Sequence, residues 1–520
     1  MNFENTGELA KKLATFSNFA DILRFVAKEH PKREFLVTEN ITWTYDQFDN
    51  LVDQSCRFLL ECNVARGDVV SGILRNSVDF LVIYFSCIRL GVCFNPLPFH
   101  LHPAEVIERV NAIDAPFLFC HKEHYAQLSK LTSCRVINLD NLKGETLLEM
   151  LEGSTGESGA PQKPVKGQDT AILYYSSGTS GKPKLVEYTH ESMVQTQANM
   201  VGDGYIDAFE KHLCVMPLGH TAALRHTIKP CICTASTVYL FKSFWEIKKD
   251  FWQIIEKREI TYCNVVPTII VAIMAMKYPN FHAKQIRSLK YLASSSSTLS
   301  RGLQKSFQER FGVSIANLYG CSEIGAAFFD NPREPGWAPG SIGRPFHGYR
   351  VVIKDSQRKE VTPGEVGEIG VAGVGVLKGY MNDAQSFAEC MHGKYFMTGD
   401  LGYQDKAGRY FFVDRVKDII IKAGINIAPA QIDEVLQSHP NVEESATIGA
   451  SDHYLGEIVE SYVVQKGAGV SALDLIRFCS GVLGSFKTPS KIVFTDALPK
   501  GPTGKILKRV LREESSKGLN

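Results

Sequence analysis

Residues 174–190 read YYSSGTSGKPKLVEYTH: small hydroxyls, glycines and lysines behind two tyrosines. Glycines let a backbone come close to an anion, hydroxyls donate hydrogen bonds and lysines bring positive charge, so the chemistry this run suits is the holding of phosphate. The common nucleotide loop, G-x-x-x-x-G-K-[ST], is not matched. Counting back from Gly181-Lys182 puts Ser176 where the first glycine belongs, and Pro183 stands in for the hydroxyl that would hold magnesium. A phosphate loop here is of another kind, and its metal ligand must come from elsewhere in the chain. A Gly/Ser turn between two strands is the competing reading of the same residues.

The elements around the run decide how it is held. DTAILYYSSGTSG reads as a buried strand feeding the loop, and THESMVQTQANM as a helix capped by Thr or His, which places the loop between strand and helix. That placement would add a helix N-terminus to the loop's own amides. GDVVSGILRNSVDFLVIYFSCIRLGVCFNPL reads as strand, helix and strand, with a glycine where the helix should stop. Short apolar runs alternating with helical patterns point to an α/β architecture. After residue 350 the texture changes. YRVVIKDSQRKEVTPGEVGEIGVAG alternates apolar and polar residues around Pro363-Gly364, as in a small antiparallel sheet. GRYFFVDRVKDIIIKAGINIAPAQIDEVLQSHP then gives strand, strand, a Pro-punctuated loop and a helix. A boundary is expected at Asp414–Lys417.

At 520 residues the chain exceeds what one core usually organises. Its 44% hydrophobic and 22% charged content suit a soluble enzyme, and a net charge of +1 argues against nucleic acid or an anionic membrane held by bulk electrostatics. The 13 cysteines are scattered, with no CxxC pair and no metal-ligand spacing, which suggests reduced thiols. YCNVVPTIIVAIMAM, at 262–276, is too short to span a bilayer and is broken by Pro267; a strand, a turn and a buried helix are expected. The N-terminal segment has no apolar signal core, and KGLN is not a peroxisomal address, so a cytoplasmic location is expected by elimination.

Five separated stretches carry a resemblance. They are YYSSGTSGKPK, NLYGCSE at 317–323, YFMTGDLG at 395–402, VDRVKDIIIKAGINIAPAQID at 413–433 and LPKGPTGKILKR at 498–509. In this order, over nearly the whole chain, they closely resemble the adenylate-forming superfamily: acyl- and aryl-CoA synthetases, firefly luciferase and peptide-synthetase adenylation domains. ITWTYDQF and GVCFNPLPFHLHPAEV also look like family segments. The resemblance implies an α/β fold with a large N-terminal domain, 1–414, a hinge at 415–417 centred on Lys417, and a small rotating C-terminal domain, 418–520. It implies two half-reactions. A carboxylate attacks the α-phosphorus of ATP to give acyl-AMP and pyrophosphate; the thiol of CoA then displaces AMP.

The residue roles follow from the same resemblance. Ser176, Ser177, Gly178, Thr179, Ser180, Gly181 and Lys184 would grip the phosphates. Glu323, with Thr179, would hold Mg2+, a hard cation that prefers oxygen ligands. Asn317, Tyr319, Gly320 and Ser322 would line the nucleotide, with Tyr319 stacked on adenine. Asp400 would accept from both ribose hydroxyls, Arg415 would donate to the same sugar, and Asn426 completes the ATP set. Lys505 would reach the carboxylate and α-phosphate, and His220, in MPLGHTAAL, would lie near the acyl carboxylate. Ala423 and Gly424 would border CoA.

Departures matter too. Where the family's adenine-side loop reads S-G-G-A-P-L, this chain has SSSSTLS at 294–300, and serine lacks glycine's backbone freedom. Two lysines found in coumarate ligases and luciferases are Ile421 and Ala423 here. The aspartate with which peptide-synthetase domains hold an α-amino group is absent from the PLGHTAAL region, which disfavours amino-acid substrates. An acyl-CoA synthetase for a fatty or aryl carboxylate is the expected activity. The alternatives are a ligase that loads a separate carrier protein, an adenylating oxygenase of the luciferase kind, and a silent binding protein on the same fold.

Overall fold

Residues 68–97 meet the strand–helix–strand expectation. Strands Val69–Ile73 and Cys93–Pro96 lie parallel, joined by helix Val78–Leu90. The Ser77 hydroxyl accepts from the Phe80 N–H at the helix start, and Gly91 ends the helix in left-handed backbone at φ 71°. In a computed structural model of the chain, which describes residues 1–131, 133–152, 164–176, 184–278, 281–467, 469–501 and 506–517, this unit sits inside a six-stranded sheet. The sheet runs Arg135–Asn138, Phe117–Cys120, Val69–Ile73, Cys93–Pro96, Thr170–Tyr175, Leu185–Thr189.

The last pair corrects one expectation. Thr170–Tyr175 is followed by an antiparallel strand, Leu185–Thr189, and only then by helix His190–Gly202, with Thr189 as its cap. The run between Tyr175 and Leu185 therefore joins two strands of a hairpin. The alternation Leu185, Val186, Tyr188 was too short to be read as a strand beside the helix signal, and the helix N-terminus does not directly follow the loop.

A nine-stranded sheet packs with the first through a shared apolar core. Its middle strands are parallel, Tyr262–Val265 between Lys211–Cys214 and Tyr291–Ser294, and Tyr291–Ser294 pairs in turn with Ile315–Cys321. Helix Pro267–Ala275 follows Tyr262–Val265 with Pro267 in its first turn, as the sequence implied. At one edge the chain reverses into the antiparallel hairpin Ile315–Cys321/Gly325–Phe329.

The antiparallel sheet expected after residue 350 is formed by Tyr349–Lys354, Gly367–Gly373, Met391–His392, Tyr395–Gln404 and Tyr410–Arg415. A single helical turn, Val416–Asp418, leads on to a further five-stranded sheet running from Ile420–Lys422 to Lys491–Phe494. One strand more than expected appears there, Ile425–Ile427, closing a hairpin on Ile420–Lys422. The residues between, Ala423 and Gly424, both take positive φ, 49° and 78°, the backbone of a two-residue hairpin turn. The buried apolar residues of this part, among them Ile420, Ile432, Val459 and Leu475, cluster with one another.

One buried carboxylate ties the two five-stranded sheets together. Helix Pro429–Gln437 has Ala428 at its N-cap and receives no side-chain cap from it. Asp414 supplies the missing acceptor from the neighbouring strand: its Oδ2 accepts from the Ala430 N–H at 2.7 Å and its Oδ1 from the Arg415 N–H at 2.8 Å. Asp414→Ala should lower stability by about 1–2 kcal/mol, the range for a lost cap with a buried amide left unpaired, and Asp414→Asn by less. Urea unfolding midpoints of the three proteins check the order.

Candidate active site

The hairpin Ile315–Cys321/Gly325–Phe329 carries most of the candidate residues, and its turn is unusually tight. A Cβ on Gly320 would lie 1.9 Å from the Gly325 carbonyl oxygen, so only glycine fits. Tyr319 precedes it, and Ser322 and Glu323 form the turn. The strand Tyr395–Gln404 brings Asp400 to meet this hairpin: the Tyr319 hydroxyl donates to Asp400 Oδ2 at 2.7 Å. Asp400 is paired across the sheet with Arg415, whose Nε lies 3.3 Å from Asp400 Oδ1. Three residues from three separate motifs thus form one chain of contacts. Burial, then the Asp400 charge, push the Tyr319 phenol well above its usual range, so it stays a donor.

Glu323 is half-buried and accepts from the Tyr380 hydroxyl at 3.2 Å. The Tyr380 ring in turn faces Lys184, whose Nζ is 4.7 Å from the ring centroid. Lys184 also closes the base of the 174–184 hairpin. Its carbonyl accepts from the Ser176 N–H at 2.8 Å, and its N–H donates to the Ser176 hydroxyl at 3.4 Å. Ser177, Gly178, Thr179, Ser180 and Gly181 lie outside the described residues, as does Lys505. Between the two halves sits Cys321, whose thiol is driven well above its ordinary range by burial, then by Glu323 and Asp400.

The remaining expected residues lie at varied distances from this centre. Asn317 is buried on the hairpin strand and donates to the Ser341 carbonyl at 3.1 Å. His220 immediately precedes helix Thr221–Ala223. Lys417 is exposed in the turn Val416–Asp418; the desolvation its surroundings impose lowers its ammonium pKa, and Asp418 opposes that shift. Ala423, Gly424 and Asn426 are exposed on the hairpin beyond it. In the adenine-side loop, Ser296 takes φ 71°, a left-handed backbone that glycine would adopt without strain.

Two contributors escaped the sequence reading. Tyr380 reaches Glu323 only because Val186 bridges to Tyr380 across the fold, a pairing no local pattern announces. Tyr188 donates to the Ser322 carbonyl and receives Arg225 Nη2 at 2.6 Å, so a buried arginine braces the turn that holds Glu323. The only sequence signal was a pair of cations, Arg225 and Lys229, four residues apart in a largely apolar run.

The profile of the AMP-binding enzyme family matches residues 23–381, and that of the AMP-binding enzyme C-terminal domain matches residues 431–505. Sulfoacetate–CoA ligase of Cupriavidus necator is 29% identical over 499 residues, covering 94% of this chain and 96% of that protein. Indoleacetate–CoA ligase of Aromatoleum aromaticum is 30% identical over 481 residues, covering 90% and 92%. Among solved structures, ATP-bound MatB from Rhodopseudomonas palustris superposes with a TM-score of 0.88 at 23% identity, covering 97% of this chain and 100% of that one.

Behind Asn317 lies a carboxyl group in an unusual state. The Asp330 N–H donates to the Asn317 carbonyl, and Asp330 Oδ2 accepts from Trp337 Nε1 at 2.7 Å. Burial pushes the Asp330 carboxyl up to about 7, against the pull of that hydrogen bond. A raised folded-state pKa means the folded protein keeps a proton that the unfolded chain releases. The contribution of Asp330 to stability is therefore full below about pH 4 and is lost as pH rises through about 7. Tryptophan emission should titrate near pH 7 through Trp337, and Asp330→Asn should remove that transition.

Proposed function

The chain belongs to the AMP-binding enzyme family, and from that premise we propose that it is an ATP-dependent acid–thiol ligase, converting a carboxylic acid to an acyl-adenylate and then to an acyl-CoA. The observation that carries the reading is the Tyr319–Asp400–Arg415 chain of contacts beside Glu323 and Lys184. A carboxylate that only accepts, flanked by a phenol and a guanidinium, suits two adjacent sugar hydroxyls. The fatty and aryl acids suggested by the motifs remain the starting classes, and the relatives' acids, sulfoacetate and indoleacetate, show how widely the acid varies.

In the first half-reaction a carboxylate oxygen bonds to the α-phosphorus and the bond to the pyrophosphate oxygen breaks. Negative charge spreads over phosphate oxygens, so the work falls to groups already aimed there. Lys184 and the 176–181 run hold the β- and γ-phosphates, Tyr319 packs on the base, and Asp400 and Arg415 fix the ribose. Lys505 would serve the carboxylate and α-phosphate, where a unit charge at 4 Å is worth about 4 kcal/mol at an effective dielectric of about 20. His220 orients the acid. In the second half-reaction the CoA sulfur bonds to the acyl carbon and AMP leaves. CoA approaches past Ala423 and Gly424 after the part beyond 418 turns about Lys417, with 1–414 as the other body.

Magnesium fits this arrangement. Among the described residues no group of three or more His, Cys, Asp or Glu could cage a cation. A single carboxylate, Glu323, which the motifs pair with Thr179 as a ligand, suits an ion that keeps waters and takes its other ligands from phosphates. When bound it neutralises charge on those phosphates. The protein works among soluble substrates in the cytoplasm, with a separate carrier protein as the alternative acceptor.

A pyrophosphate-release screen over carboxylic acids, with hydroxylamine trapping and no CoA, tests the reading. At least one acid should release pyrophosphate and yield a hydroxamate; silence from acetate through long chains to cinnamates would refute it. On the acid that works, chelation of magnesium should abolish release, and Glu323→Gln should slow it about 10²–10³-fold with an unchanged unfolding midpoint.

The two half-reactions should separate by mutation. Lys505→Ala should cripple acyl-adenylate synthesis yet still convert supplied acyl-AMP and CoA. Gly424→Leu should do the reverse: a Cβ there meets nothing within 4 Å, and because φ 78° strains any side chain its unfolding midpoint is measured alongside. Single-turnover assays of each half on both variants decide; loss of the same half in both would rule out two faces.

A further inference from the structure

Arg225 and Lys229 are the most deeply buried pair of cations near the candidate site, 8% and 5% exposed. They sit four residues apart on the helical segment 221–233, which passes through a π-helical turn, Leu224–Ile228. Such turns are uncommon and cluster at functional sites. Residues four apart share a face of a helix, and both of these line one small cavity with Tyr174, Tyr188, Thr196 and Gln197.

Among the described residues neither cation has an ion pair. Arg225 gives one donor to the Tyr188 hydroxyl and lies 5.1 Å from that ring, while Lys229 Nζ faces the Phe19 ring at 5.9 Å. Two cations withdrawn from water without an anion are costly, and charge of this kind is normally paired or neutralised. Burial and the neighbouring Arg225 bring the Lys229 pKa down to about 7, as expected of an ammonium waiting for a counter-charge.

The cavity adjoins the candidate site. Thr221, next to His220, forms one wall and Gly325, two residues beyond Glu323, forms another. Tyr188 joins them, bonded to Arg225 on one side and to the Ser322 carbonyl on the other. The free space is about 10 Å3, the room of one water, between hydroxyls, an amide and the two cations, with Ile172 and Met193 also in the wall. One oxyanion oxygen fits that space; a whole head group or an alkyl tail does not.

We propose that the acid activated by this enzyme carries a second oxyanion, a carboxylate or sulfonate, one oxygen of which takes the water-sized space and is held by Arg225 and Lys229 while the reacting carboxylate faces the nucleotide. This rests on the ligase reading above and narrows its substrate class to short dianionic acids.

The test compares matched acids differing only at the far end: butyrate with succinate and 3-sulfopropionate, and propionate with malonate. With pyrophosphate release as readout, the best dianionic acid should exceed its monoanionic match by about 10²-fold or more in kcat/KM, because a monoanion leaves buried donors unpaired. Arg225→Met and Lys229→Met should each collapse that ratio. Lys229→Met leaves the Arg225–Tyr188 brace intact, so its effect is separable from loosening of the Glu323 turn. Equal turnover of matched acids by the wild-type protein overturns the inference and leaves the ligase reading standing. Should no acid release pyrophosphate, the ligase reading falls, and thermal melting decides the inference alone. Succinate and 3-sulfopropionate raising the Tm of the wild-type protein, but not of Lys229→Met, would uphold an oxyanion site; no shift in the wild-type protein would reject it.

Discussion

The contact between Gly320 and the Gly325 carbonyl governs the candidate site. With room for no side chain at that point, the hairpin turns sharply enough to present Tyr319 on one flank and Glu323 on the other. Tyr319 can then reach Asp400, and Asp400 is already opposed to Arg415 by the register of another sheet. A wider turn would leave the same residues in the sequence and take them out of reach of one another. The polar contacts add modest energy each; the backbone geometry decides whether they form at all.

The turn is also braced from behind. Tyr188 holds the Ser322 carbonyl, Tyr349 donates to the Ile324 carbonyl at 3.0 Å, and the Leu377 N–H donates to the Glu323 carbonyl at 2.8 Å. Successive backbone carbonyls of the turn are thereby fixed by three different parts of the chain. Functional groups placed this way lose little freedom when a ligand arrives, and that is how positioning translates into rate.

Much of the fold was readable where local signals agree. The Ser77 and Gly91 caps, the apolar period between them and the flanking β-branched runs all pointed to one strand–helix–strand unit. The motif residues Tyr319, Asp400 and Arg415 could be chosen because each lies in a short, recognisable stretch. What escaped was set by register across the fold. Leu185–Thr189 is a strand because Thr170–Tyr175 lies beside it, and five residues carry too little pattern to outweigh the helix that follows. Tyr380 matters through its bridge to Val186, and Arg225 through a cavity formed by residues from distant strands and helices. Such partners are specified by packing, which a single sequence encodes without displaying.

The Cys321 thiol has a bearing on the safety of the chemistry beside it. An acyl-adenylate is a mixed anhydride, and a nearby thiolate would capture its acyl group as a dead-end thioester on the enzyme. Cys321 stands between Glu323 and Asp400, and burial together with those two carboxylates keeps its sulfur protonated. A protonated thiol is a weak nucleophile. The same negative charges that suit a cation and a sugar thus silence the protein's own sulfur, leaving the activated acid to a thiol that comes from outside.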